Sequence, residues 1–238
     1  DGPTTRKMYE LAKKVDEKNL KVGVGLMVRH CRGRRELYDR IRAGEIGDII
    51  AMRGYRMSGG GGFCGPPKEG ESELLYQIRH FHSFIWASGG VYSDFYIHQI
   101  DELSWMKDAW PVSAHALGGR HYRGDRVDQN FDTYSIEYTY PDGAKLFYYG
   151  RQMPGCHNEF ASYVHGAKGT AIVSTSAHTP GRVRTFSDQT FGAEKQIWAF
   201  PQPEPNPYQM EWEDLVDAIR DDKPYNEVER GARASLVT

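Results

Sequence analysis

The chain has 238 residues, of which 39% are hydrophobic and 26% charged, with a formal net charge of −2. This is the composition of a folded globular chain long enough to bury a full core. The near-neutral charge offers no electrostatic grip on nucleic acid or an anionic membrane, and no apolar run is long enough for a transmembrane helix.

Aromatic residues make up 13%, tyrosine foremost with 15. That suits a tyrosine-rich sheet or, alternatively, a polyhydroxylated ligand stacked on flat amphipathic rings. The three cysteines, Cys31, Cys64 and Cys156, are odd in number and far apart, so they give neither a disulfide framework nor a zinc spacing. Cysteine usage therefore points to a cytoplasmic compartment. The sequence opens on Asp1 without a methionine, shows no signal peptide, and closes at Thr238 inside a helical pattern. It reads as a chain trimmed at both ends.

Residues 1–19 read as a helix, capped by Asp1 or Thr4, with Met8, Leu11, Ala12 and Val15 as its apolar stripe. Residues 21–27 (Lys-Val-Gly-Val-Gly-Leu-Met) read as a short buried strand, so the two together look like one α-β unit of a doubly wound sheet. Ligands collect beyond the carboxyl ends of such strands, where Arg29 and His30 would project. Residues 31–43 form a second helix, with Leu37 and Ile41 inward and the arginines outward. A long strand over 48–57 follows. Residues 58–71, with four consecutive glycines and Pro66-Pro67, form a loop that reads as a lid or an insertion and lacks the Lys-Ser/Thr of a phosphate loop. Helices are expected over 72–86 and 91–107. Strands then run over 112–117, 133–140, 144–151, 157–165, 170–174, 182–187 and 196–200. The Pro141-Asp142-Gly143 turn makes a hairpin of two of them, and the series argues for one antiparallel sheet. An amphipathic helix over 208–221, with Trp212, Leu215 and Ile219 inward, and a helix from Val228 close the chain.

The chemistry concentrates at Gly89-Gly90-Val91-Tyr92-Ser93-Asp94-Phe95-Tyr96-Ile97-His98-Gln99-Ile100-Asp101. On a helix, Asp94 and His98 at i, i+4 and Asp101 three residues further share one face. Acid, imidazole and acid in line are able to move a proton. A polar helix face is the plainer reading, but Phe95, Ile97 and Ile100 leave little room for solvent there. Arg79, His80, His82, Tyr92, Arg151 and His157 are further side chains able to line the same cavity, or simply to sit at a surface. The same face could ligate a divalent ion, but no further ligand spacing accompanies it and no metal is expected.

The order Gly-Leu-Met-Val-Arg-His, Gly-Glu-Ile-Gly-Asp-Ile, Gly-Gly-x3-Asp-x3-His-x2-Asp and Pro-Val-Ser-Ala resembles the Gfo/Idh/MocA family of nicotinamide-dependent oxidoreductases. Tyr-Pro-Asp-Gly-Ala, Gly-Ala-Lys-Gly-Thr and Asn-Glu-Val-Glu-Arg-Gly-Ala-Arg-Ala-Ser-Leu are similar too, and the resemblance runs through the whole chain. It implies an α+β fold: a large, mostly antiparallel sheet with helices packed on one face, preceded by a terminal α-β unit of a truncated Rossmann domain. Residues 1–29 would be the remnant of that dinucleotide-binding domain, and 30–238 the substrate-binding and oligomerisation domain. The G-x-G-x-x-G fingerprint and the Glu-Lys-Pro segment with the family's catalytic lysine are read as absent, and belong upstream of Asp1.

The resemblance further implies His98 and Asp94 as the catalytic proton relay. Asp101, Arg29, His80 and Tyr92 are then candidates for contacting substrate. The cofactor would be NAD or NADP, held mostly outside this chain, and the substrate a sugar, cyclitol or related polyol. A homo-oligomer through the sheet face is expected, with the strands over 136–140 and 146–149 presenting apolar surface. A redox-neutral relative that uses transient oxidation to epimerise or to cleave a glycoside, and a non-catalytic binding or dimerisation module, are the alternatives.

Overall fold

A computed structural model describes residues 2–238. Helix α1 (Gly2–Glu17) buries Ala12 and Val15 and packs against the last helix, α7 (Val228–Val237). The strand expected over 21–27 shrinks to β1 (Lys21–Val22), which pairs in parallel with the equally short β10 (Tyr225–Asn226). The ladder ends there because Leu26 N–H bonds Val24 O in a tight turn, and a 3-10 turn (Met27–His30) follows. Arg29 and His30 therefore sit on a turn rather than beyond a strand.

Helix α2 (Arg32–Arg42) buries Leu37 and Ile41 as expected. One arginine departs from the outward pattern: Arg34 is fully buried, and its Nε donates to Glu102 Oε2 at 2.8 Å. Strand β2 (Ile49–Ser58) leads through the glycine loop to α3 (Glu73–Arg79), a 3-10 turn (Phe81–Ser83) and α4 (Ile85–Ser88). The single helix expected over 72–86 breaks at His80 and again at Phe84, which is extended (φ −121°, ψ 122°). Its aromatic run favours a small side core, with Tyr76 and Phe84 packed edge to face beside Cys64, over helical continuity.

The helix expected over 91–107 is present but not uniform. It opens as a π turn (Tyr92–Tyr96) and becomes α-helical as α5 (Ile97–Lys107). Gly89 and Gly90 lead into it at φ +74° and +73°; a side chain on Gly90 would also meet Asn130 Oδ1. Helix α5 is buried nearly all round, which marks a central helix.

It lies on an eight-stranded sheet built from β2 and β3 (Ser113–Gly119), β4 (Thr133–Thr139), β5 (Lys145–Gln152), β6 (Glu159–Gly166), β7 (Thr170–Ser174), β8 (Arg184–Phe186) and β9 (Gln196–Ala199). The order is β3-β4-β5-β2-β6-β7-β8-β9, antiparallel throughout except for the β2–β5 pair. The fold is therefore the expected α+β arrangement.

Two expectations about surfaces are corrected. Ile136, Tyr138, Tyr140, Leu146 and Tyr148 are buried in the main core that also holds Ile100 and Leu103 of α5. The apolar residues of β4 and β5 thus face inward, and the open face carries Tyr55, Tyr149 and Tyr163 instead. On α6 (Pro207–Arg220), Trp212 and Ile219 are exposed rather than inward, and Leu215 is half-buried. No helix among the described residues is long and apolar enough to cross a membrane.

Candidate active site

The site is organised from Gln99, which is fully buried. Its amide donates to Tyr55 O at 3.0 Å, Ala161 O at 3.1 Å and Ser162 Oγ at 3.2 Å, and accepts from the Tyr148 hydroxyl. These bonds pin the first turn of α5 to β2, β5 and β6. His98, the preceding residue, is thereby held over the sheet, in the field of Arg56 on β2.

His98 meets His178 ring to ring, with centroids 4.7 Å apart and planes at 64°. Arg56 Nη1 lies 2.9 Å from His178 Nε2. A guanidinium only donates, so His178 Nε2 accepts and its proton sits on Nδ1. The Arg56 guanidinium is also stacked over Phe160 at 4.7 Å and Phe95 at 5.8 Å. Nδ1 of His98 and Nδ1 of His178 are both buried without a hydrogen-bond partner among the described residues.

Burial, with Arg56 beside it, pushes His98 down to about 4, against the opposing pull of Asp101 and Asp94. Burial, then His98, Arg56 and Arg34, push His178 down to about 2. Both rings are neutral at pH 7, and a charge on either disfavours a charge on the other.

The expected line of three residues is rearranged. A π turn aligns residues five apart rather than four, which takes Asp94 out of line with His98. Asp94 instead forms a very close pair with His82 Nδ1, and both are partly exposed. Asp101 is fully buried, with both oxygens held by Arg29 at 2.9 and 2.7 Å; Arg29 in turn lies over Trp105 at 5.0 Å. Asp101 and Arg29 therefore brace the helix beneath His98.

The other candidates make their contacts elsewhere. His80 is exposed, stacks on Tyr76 at 4.3 Å and bonds its carbonyl. The Tyr92 hydroxyl pairs with that of Tyr138. Tyr92 also lines an apolar groove of about 400 Å³ along β3 and β4, with Ala114, Ala116 and Ile136. Arg151 bonds the His157 carbonyl. Arg79 pairs with Glu71 at 3.2 Å.

Arg56 and His178 were not expected. The first carried a signal: Met52, Gly54 and Arg56 alternate onto the core face of β2, and an arginine there is out of place without a function or a partner. His178 carried none. Its loop is positioned by Arg34, whose Nη1 donates to His178 O at 2.8 Å.

The dinucleotide fingerprint, read as absent, does occur in letters at Gly60-x-Gly62-x-x-Gly65. The structure does not give it the fingerprint's role. Gly61 O and Gly62 O accept from Arg123 and Gly62 O also from Asn130, and no helix begins until Glu73.

Residues 35–172 match the GFO/IDH/MocA C-terminal domain. The chain belongs to the Gfo/Idh/MocA family. Its fold is similar to that of an aldose–aldose oxidoreductase from Caulobacter crescentus complexed with glycerol (TM-score 0.73, 16% identity, 98% of this chain and 64% of that one). It is also similar to a 3-ketoreductase from Actinomadura kijaniata in complex with NADP (0.66, 17%, 100% and 66%). A third is the super-repressor mutant of Gal80p from Saccharomyces cerevisiae (0.68, 13%, 98% and 65%). The chain thus spans just under two thirds of the length of these Gfo/Idh/MocA-like structures. No curated protein matches it.

Proposed function

We propose that this chain is the substrate-binding and proton-relay part of an NAD- or NADP-dependent oxidoreductase acting on a sugar, cyclitol or related polyol. In this reading residues 30–238 form the substrate domain and residues 1–29 the tail of a dinucleotide-binding domain. The observation that carries it is His98: a neutral, largely desolvated imidazole with an unpartnered nitrogen, positioned by the bonds of Gln99, facing His178, and in the fields of Arg56, Asp101 and Asp94. A nicotinamide, when bound, supplies the hydride acceptor; no residue of this chain is assigned to hold it.

What the chain's own residues contribute is the handling of the hydroxyl proton. His98 accepts it as the carbinol is oxidised. Asp94 and Asp101 stabilise the imidazolium that forms, while Arg56 and His178 raise its energy and drive the proton onward to water. Arg56 and the unpartnered Nδ1–H of His178 are donors suited to a sugar hydroxyl.

In the protein joined to its dinucleotide-binding domain, His98→Asn is expected to lower kcat by roughly 10²–10⁴-fold while leaving NAD(H) affinity near normal. Unchanged turnover, or lost cofactor affinity, would count against the role. A non-catalytic binding module is the second reading, supported by the likeness to Gal80p. It is favoured instead if the joined protein binds polyols yet transfers no hydride to any of them.

A further inference from the structure

Away from His98, a second cluster joins three distant parts of the chain. His30 ends the 3-10 turn after β1, Glu211 lies on α6, and Glu227 immediately precedes α7. One ligand atom from each lies within 4.8 Å of the others. We propose that His30 Nε2 and the carboxylates of Glu211 and Glu227 form a binding site for a divalent transition-metal ion of the zinc class.

The ring of His30 decides the matter. Its side chain is only 2% exposed, and Nδ1 lies 2.7 Å from Asp214 Oδ2. Arg35 Nη2, which only donates, also lies 3.1 Å from Nδ1; the shorter contact is the one to Asp214, and with the Nδ1 proton given to that carboxylate Nε2 is left as a lone pair. A histidine oriented by a carboxylate, with its other nitrogen free, is the arrangement that presents imidazole to metals. Nε2 is buried and receives no hydrogen bond; Glu227 Oε1 stands 3.2 Å from it without making one. Glu211 Oε1 is likewise buried without a partner. A nitrogen lone pair and two carboxylates so converge; the Arg230 guanidinium beside Glu227 Oε1 donates to neither Nε2 nor Glu211 Oε1, and both stay buried and unsatisfied without a further cation.

The surroundings supply the outer layer. Asp214 is itself held by Arg35 at 2.7 Å and Arg32 at 3.1 Å. Glu227 Oε2 accepts from Val24 N–H at 2.9 Å, and the Arg230 guanidinium lies 2.6 Å from Oε1. The Tyr225 hydroxyl, buried and without a partner, lies in the field of Glu227, Asp214 and Glu211. One imidazole nitrogen and two carboxylate oxygens suit zinc, with manganese, iron(II) and cobalt as chemically similar occupants. A bound ion would tie the segment around β1 to α6 and α7. The competing arrangement holds no metal: His30 is an imidazolium bridging Asp214 and Glu227.

The test titrates the chelator-stripped full chain with zinc by calorimetry, with Tm followed in parallel. One zinc per chain is expected, with a rise in Tm that chelator reverses. Glu211→Gln should weaken binding at least tenfold, Asp214→Asn by roughly 10–100-fold, and Glu213→Gln, an exposed neighbour, not at all. X-ray absorption on the zinc-loaded wild type gives a reading that does not depend on any variant folding; it should show nitrogen and oxygen ligands only. Absence of stoichiometric zinc, equal binding by Glu211→Gln, sulfur in the shell, or a proton on His30 Nε2 at pH 7 in the presence of zinc by nitrogen-15 NMR would each overturn the proposal.

Discussion

At the scale of single residues, the two facing imidazoles make a stability claim. His98 and His178 are held neutral because burial and Arg56 oppose their charged forms, and Asp94 and Asp101 offset this only in part. Their folded values lie below the unfolded value of about 6.5. The sign follows: between pH 6.5 and about 4 the unfolded chain takes up protons that the folded one refuses, so stability falls with falling pH. The contribution of each ring is complete above about pH 6.5; that of His98 is gone near pH 4, and that of His178 goes on falling toward pH 2. At about 1.4 kcal/mol per unit, His98 alone accounts for on the order of 3 kcal/mol across that window. Urea midpoints for wild type and for a His98→Asn, His178→Phe double variant should therefore converge as pH falls from 7 to 4.5, since the variant lacks the two protonations. Parallel curves would show that these rings do not titrate as argued.

At the scale of elements, the π turn is the decisive feature. It brings Tyr96 down on the sheet, where its ring covers Gly150; a methyl at Gly150 would strike that ring. Gly150→Ala is therefore expected to cost about 1–3 kcal/mol, read as a shifted urea midpoint with an unchanged slope. A loss below about 0.5 kcal/mol would mean that the ring moves freely and the turn is not locked by the sheet.

The same turn explains what the sequence could and could not convey. Helix 91–107, the hairpin at Pro141-Asp142-Gly143 and the strands were legible because period and turn chemistry are local. The pairing of Asp94 with His82 was not, because a π turn leaves no periodic mark and the partner comes from a separate 3-10 turn. Nor was Arg34 legible: on a helix thick with arginines, only the position of Glu102 on α5 singles out the buried one. His98 itself was legible as chemistry, but its nearest neighbour, His178, arrives from a loop by way of that same Arg34.

At the scale of the whole molecule, the sheet has one face under α5 and one open. On the open face Tyr55 stacks on Tyr149 at 5.8 Å and meets Tyr163 edge-on at 6.3 Å, while Arg53 lies over Tyr163 at 5.4 Å. Rings with apolar bodies and polar tips, joined by an arginine, are the side chains that dominate protein interfaces. The apolar residues of β4 and β5 are spent on the core, so on this sheet face the tyrosine ladder is what remains for self-association. We therefore expect a homodimer with sheet packed on sheet, its two copies related by a two-fold axis so that the ladder meets itself. Light scattering after size exclusion should give twice the 27.1 kDa chain mass. The double change Tyr55→Lys, Tyr149→Lys places like charges across that axis, and should leave a monomer with an unaltered far-ultraviolet spectrum. A wild-type monomer at concentrations near 100 μM would dismiss the interface; a dimer that survives both lysines would move it to another surface, the candidate being the exposed β3 edge, where Leu117 is 79% exposed.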